Sequence, residues 1–163
     1  MNMSIPTTFS TIGLFPRRVS LMAMSDNEIH TAVRKGQLEI KPGPERVNPA
    51  GIDLRAIKKL TIKPRHQTLA ATLEKVGLPN NFLGILHLRS SFAREGVIAS
   101  LALVDPGYQG QLTISLYNAG ARPVIIKEAE RFVQLTLFRL GKPAKRSYKG
   151  RYQNSSGVVR SKR

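Results

Sequence analysis

A chain of 163 residues, 41% of them hydrophobic, can bury one core but hardly two, and no apolar run approaches the roughly twenty residues that a membrane helix needs. Cys and Trp are absent, which excludes disulfides and thiolate metal sites and makes a cytoplasmic location the expectation. Twenty-six basic against 10 acidic residues leave a net charge of +16, so the expected partner is anionic, whether nucleic acid or a phosphorylated small molecule, unless the charge serves solubility alone.

Residues 1–23 carry Arg17 and Arg18, no acid and no apolar period, and read as a flexible N-terminal extension. A transit-type segment, an adhesive arm or a true start at Met24 all fit them. Ser25-Asp26-Asn27-Glu28 then spells a capping box, Ile29, Ala32 and Val33 share one face, and Gly36 stops the run, which predicts a short helix over about 26–35. A brief strand at 38–40 and a Pro- and Gly-bearing loop at 42–50 follow. Short apolar or alternating runs come next, at 51–57, 59–62, 68–73, 82–88, 97–104, 111–117, 123–126 and 132–139. Such spacing predicts an all-β sandwich, jelly roll or barrel. After Gly141 the chain turns basic, and residues 142–163 read as a mobile tail unless a ligand orders them. Residues 131–163 hold ten Lys or Arg and no acid, which concentrates the charge at this end.

Four segments carry chemically loaded residues. Asp53 interrupts the tight run Ala50-Gly51-Ile52-Asp53-Leu54-Arg55. Arg89-Ser90-Ser91-Phe92-Ala93-Arg94 sets two guanidiniums around paired hydroxyls after an apolar strand, which suits an anion cradle and equally a capped surface helix. Val104-Asp105-Pro106-Gly107-Tyr108 delivers an acid and an aromatic ring to a Pro-Gly turn, an ordinary turn if taken alone. Gln134 stands among apolar neighbours in Arg131-Phe132-Val133-Gln134-Leu135 and must find hydrogen bonds or face a site. His30, His66 and His87 lack metal-ligand spacing, and phosphate-loop, nucleophile-elbow and zinc-deaminase signatures are missing.

Taken in order, AGIDLRA, LRSSFAREGV, VDPGYQGQLTISLYN, ERFVQL and RYQNSSG resemble the superfamily that joins trimeric dUTP diphosphatases with zinc-independent dCTP deaminases. The similarity runs from about Met24 to the C-terminus, and the opening MSDNEIHTAVRKGQLEIKP resembles the deaminase branch. The resemblance implies distorted jelly-roll (β-clip) subunits with a short N-terminal helix, assembled as a homotrimer with three interfacial sites. It implies a β domain over 24–141 and a basic tail over 142–163 that closes on bound nucleotide. Arg89, Ser90, Ser91, Arg94 and Gln134 would hold phosphates, Asp105 would orient the attacking water, and Tyr108 would pack on the deoxyribose. Asp53 would support this network, Arg151 and Tyr152 would lie in the closing segment, and Mg²⁺ would be held mainly by substrate phosphates and water.

One departure separates the branches. The deaminases resembled here carry a Glu ten residues after the motif acid as proton shuttle, and this chain has Ser115 there. A hydroxyl cannot exchange protons near neutral pH as a carboxylate does. The expectation is therefore a dUTP diphosphatase releasing dUMP and pyrophosphate. The alternatives are a dCTP deaminase, including a bifunctional one that does both reactions, and a degenerate nucleotide- or nucleic-acid-binding member. Ser155 stands where the deaminase tail has Gln, and the Phe-Gly segment of diphosphatase tails is absent, so lid closure departs from both patterns.

Overall fold

The computed structural model describes residues 22–100 and 102–163. Residues 1–21, most of the expected extension, and Leu101 lie outside the described residues. Met22–Ala23 form strand β1 rather than continuing the extension, pairing with Phe138 and Arg139. The cause lies next door: Met24 is buried and its N–H donates to the Leu137 carbonyl at 2.8 Å, which draws the preceding residues onto the sheet.

The capping box forms as the sequence predicts. Glu28 accepts from the Ser25 N–H at 3.0 Å, its own N–H donates to Ser25 Oγ at 3.4 Å, and helix α1 runs Asp26–Arg34. Ile29 and Ala32 seat it on the core. Strand β2 is Glu39–Lys41. Within the segment expected to be loop, Val47–Asn48 form β3, because Pro49 and Ala50 make a tight hairpin that pairs Asn48 with Gly51 and Val47 with Ile52 of β4 (Gly51–Arg55).

Next come β5 (Leu60–Ile62), β6 (Gln67–Gly77), β7 (Phe82–Leu88) and the short helix α2 (Ser90–Arg94). The run expected as one strand at 97–104 is two, β8 (Val97–Ala99) and β9 (Leu103–Val104), because β8 pairs with β10 (Gln109–Asn118) while β9 pairs with β7 of the other sheet. The last strands are β11 (Val124–Ile126) and β12 (Arg131–Arg139).

Among the described residues the strands form one sheet in the order β3-β4-β12-β7-β9, with β1 also on β12, a second in the order β2-β6-β10-β8, and the small pair β11-β5. Every pairing of named strands is antiparallel, and the all-β class with a short N-terminal helix is as the sequence predicts. Ile52, Leu54, Phe132 and Leu135 of the first sheet and Ala70, Ile114 and Leu116 of the second are buried in the shared core. Each fully buried Leu, Ile or Phe contributes roughly 1.5–3 kcal/mol before entropy is counted.

One irregularity matters for the site. Gln111 pairs with Lys75 and Thr113 with Ala71, so two steps along β10 span four along β6. Thr72 absorbs the mismatch, its hydroxyl accepting from the Leu112 N–H at 2.9 Å and donating to the Glu74 carbonyl at 2.8 Å. The bulge brings Glu74 into the interior, fully buried, where its carboxylate accepts from the Arg55 N–H and Nε of β4 at 2.8 and 2.7 Å. It ties the two sheets together.

Candidate functional site

Asp105 follows the edge strand β9 and opens the turn that leads into β10, closed by the Tyr108 N–H donating to the Asp105 carbonyl at 3.1 Å. A cavity of about 330 Å³ opens against this turn, and Asp105, Tyr108, Tyr152 and Ser115 are among its lining residues. Asp105 is the single carboxylate among the described residues that line it.

Tyr108 is buried, and its hydroxyl donates to the Gln111 carbonyl at 2.8 Å. Burial pushes the phenol above its ordinary value, against a smaller opposing effect from the Ser155 hydroxyl. Its ring meets Tyr148 edge-on, with centroids 5.6 Å apart and planes at 60°. Ser115 sits on β10, where its Oγ accepts from Gln67 Nε2 of the neighbouring β6 at 2.6 Å.

The expected mobile tail contains no named helix or strand, but it lies against β10. Tyr148 N–H donates to the Pro106 carbonyl at 2.8 Å, Asn154 N–H to Gln109 at 2.8 Å, and Gln111 N–H to Ser155 at 2.8 Å. Two side chains of β10 extend the contact: Gln111 Oε1 accepts from the Gly157 N–H at 2.6 Å, and Thr113 Oγ1 from the Val159 N–H at 3.0 Å. Gly110 permits this approach, since a Cβ there would stand 2.7 Å from Ser155 N, at a φ of +140° that side chains rarely adopt. The tail thus forms one wall of the cavity through Tyr148, Tyr152, Ser155, Val159 and Ser161. Tyr152 accepts from the Lys162 N–H at 3.2 Å, which lowers its phenol below the ordinary value, and the Lys162 ammonium stands 5.7 Å from its ring centroid. Arg151 donates to the Lys162 carbonyl and is not among the lining residues.

The other expected site residues gather elsewhere. Arg89 precedes α2, which carries Ser90, Ser91 and Arg94, and makes no side-chain cap bond to it. Its Nε lies 3.7 Å from the buried Asp53, and Arg131 Nη1 lies 3.6 Å from the same Asp53 oxygen. Asn48 Nδ2 donates to the other oxygen at 2.8 Å. Gln134 pairs in register with Asp53 across β12 and β4 and with His87 across β12 and β7. None of these residues lines the Asp105 cavity. Within a single chain the arginine cluster therefore lies outside the cavity that Asp105 and Tyr108 line.

Sequence reasoning did not single out Tyr148, Gln111 or Thr113. A signal existed for the last two, because Gln111, Thr113 and Ser115 recur at every second position of an apolar strand and so share one face. Tyr148 stood in a basic tail without periodicity. Among the described residues no group of three or more His, Cys, Asp or Glu could hold a metal ion, and the two Asp53 oxygens already face Asn48 and two guanidiniums. Among the described residues, side chains alone do not make a built metal site.

Residues 56–140 match the family model described as dCTP deaminase-like. The chain belongs to that family. It is 44% identical over 147 residues to a dCTP deaminase of Pyrococcus abyssi, covering 80% of this chain and 95% of that protein. It is also 32% identical over 157 residues to a probable deoxyuridine 5'-triphosphate nucleotidohydrolase of Sulfolobus islandicus rod-shaped virus 1, covering 86% and 99%. Among solved structures, a mutant dUTPase from phage phi11 of S. aureus, described with a structural Mg(II) ion, shares the fold with a TM-score of 0.57 at 18% identity, over 71% of this chain and 98% of that one. Family members thus bear both names, and this protein is a nucleotide-metabolising enzyme of the dUTPase and dCTP deaminase superfamily.

Proposed function

We propose that the protein is a dUTP diphosphatase that releases dUMP and pyrophosphate and acts as a homotrimer. The observation that carries this reading is the composition of the Asp105 cavity. It offers one carboxylate, and Ser115, at the position where the deaminase branch needs its proton-shuttling Glu, presents a hydroxyl already bonded to Gln67. Deamination at a pyrimidine ring requires a group that takes a proton from water and returns it to the leaving amine, and a lone hydroxyl cannot do this near neutral pH. Diphosphate release asks less of the side chains: positioning, one acid and positive charge.

In this reading Tyr108 supports the sugar in the cavity and Asp105 orients a water toward the α-phosphorus. As the new P–O bond forms, the bond to the β-phosphate oxygen breaks, the water's proton passes to Asp105 and then to solvent, and pyrophosphate departs. Arg89, Ser90, Ser91, Arg94 and Gln134, supplied by a neighbouring subunit, hold the phosphate chain, which accounts for their place outside the Asp105 cavity of their own chain. Arg151 and Tyr152 close with the tail. Mg²⁺ would be held mainly by the substrate phosphates and water, where it would supply positive charge to the leaving pyrophosphate.

The deaminase reading has specific support in the names of the relatives: beside the Pyrococcus abyssi protein at 44% identity stand further archaeal dCTP deaminases and, at 33%, a dUMP-forming dCTP deaminase of Aquifex aeolicus. Parallel assays with dUTP and dCTP in Mg²⁺, scoring pyrophosphate and ammonia separately, decide between the two. Pyrophosphate from dUTP without ammonia from dCTP is expected; ammonia release with no dUTP turnover overturns the proposal. Asp105→Asn should lower kcat by about 10²–10⁴-fold while the thermal transition of the protein is retained.

A further inference from the structure

Arg89 ends a ladder of charges whose other members the reaction just described leaves unused. From the interior outward, Glu74 pairs with Arg55 at 2.7 Å, Arg55 with Glu45 at 2.9 Å, Glu45 with Arg131 at 3.9 Å, Arg131 with Asp53 at 3.6 Å, and Asp53 with Arg89 at 3.7 Å. Three acids balance three guanidiniums. Two of the acids are fixtures, since Glu74 is fully buried and Asp53 is 2% exposed. Glu45 differs: half its side chain is open to solvent, and it stands on the segment joining β2 to β3.

The arginines are not saturated. Both contacts to Asp53 exceed hydrogen-bond length, so Arg131 and Arg89 keep N–H donors, and Arg89 spends one of them on the Arg131 carbonyl at 3.1 Å. The Glu45 carboxylate thus occupies the place of an oxyanion between Arg55 and Arg131, next to the residue assigned to the phosphate chain. Without it the cluster carries one positive charge in excess, on planar donors suited to phosphate oxygens.

We propose that Arg131, backed by Arg55, is a further phosphate-binding residue for the triphosphate, and that Glu45 is an internal stand-in which the phosphate must displace. This rests on the reading that Arg89 holds the phosphate chain. Glu45 then lowers affinity for any polyphosphate too short or too weakly charged to displace it. The ladder also gives Glu74 a role at a distance, since its buried carboxylate aims the Arg55 guanidinium that Glu45 occupies.

The test pairs kinetics with direct binding. Glu45→Gln keeps the shape and removes the charge, and should lower KM for the consumed nucleotide about three- to tenfold with less than twofold change in kcat, because ground state and transition state gain alike. Calorimetric titration with inorganic triphosphate should show the same tightening. Arg131→Gln should raise KM, and in the double variant the benefit of Glu45→Gln should disappear. A Glu45→Gln variant that binds triphosphate no more tightly than wild type overturns the inference, even where dUTP is turned over. Tightening in a protein that turns over no dUTP sustains it and counts against the diphosphatase reading alone. Thermal melts of both variants exclude misfolding as the cause of a shift.

Discussion

At the scale of the residue, Tyr108 shows how burial and chemistry constrain one another. Its phenol is held neutral by burial while its hydroxyl donates to the Gln111 carbonyl, and an ionised oxygen there would face that carbonyl without a proton between them. The sign follows from linkage. The folded value lies above the unfolded one, so this contribution to stability is complete below the unfolded value of about 10 and is lost as pH rises from there toward the folded value. Alkaline melts of wild type should therefore fall off more steeply above about pH 10 than melts of Tyr108→Phe, which has no proton to lose. Equal slopes would show that the buried phenol does not govern this window.

At the scale of the element, β10 does two jobs, since one face feeds the core and the other carries Gln111, Thr113 and Ser115 beneath the tail. Gly110→Ala should push the tail away, because the added carbon meets Ser155 backbone at 2.7–2.9 Å and the φ of +140° is strained for alanine. Limited proteolysis after Lys149 or Arg151 should become faster, and KM for nucleotide should rise about tenfold. Unaltered cleavage and KM would mean the tail is not held at Gly110. The same strand shows what the sequence discloses and what it hides. The capping box at Ser25, the strand through Phe132 and Leu135, and the acid-aromatic turn at Asp105 are local patterns and are legible without coordinates. The split of 97–104 into β8 and β9 is not, because the sheet that each half joins depends on partners far along the chain. The bulge that buries Glu74 escapes for the same reason: the apolar run ends at residue 73, and a charge just beyond it gives no sign of burial until its partner Arg55 is known. The tail's contacts to β10 were likewise not legible, since they run largely through backbone groups that side-chain identity does not report.

At the scale of the whole molecule, Arg94 does not line the Asp105 cavity of its own chain, so the proposed function predicts that catalysis requires the trimer. Asp105→Asn and Arg94→Ala should each be inactive alone. Subunits of the two variants unfolded together and reassembled should recover roughly a quarter of wild-type activity, because random assortment places an intact acid beside an intact arginine at that frequency. No recovery, with mixed trimers verified by mass, would place both residues in one subunit's site. The net charge of +16 acts at the same scale. In the proposed reading it should draw anionic nucleotide toward the site, and a binding titration at rising salt should show a salt-sensitive affinity for nucleic acid.

The latch between β10 and the tail also has a temporal consequence. Gln111 and Thr113 hold the Gly157 and Val159 N–H groups through their side-chain oxygens, so the tail is fastened to β10 by the protein's own donors and acceptors. In the proposed reading, where the tail closes over nucleotide, each cycle peels this seam twice, once to admit the substrate and once to let the products leave. That reading predicts unzipping as the slow step: kcat should fall as solvent viscosity rises, a dependence that Gln111→Ala should weaken.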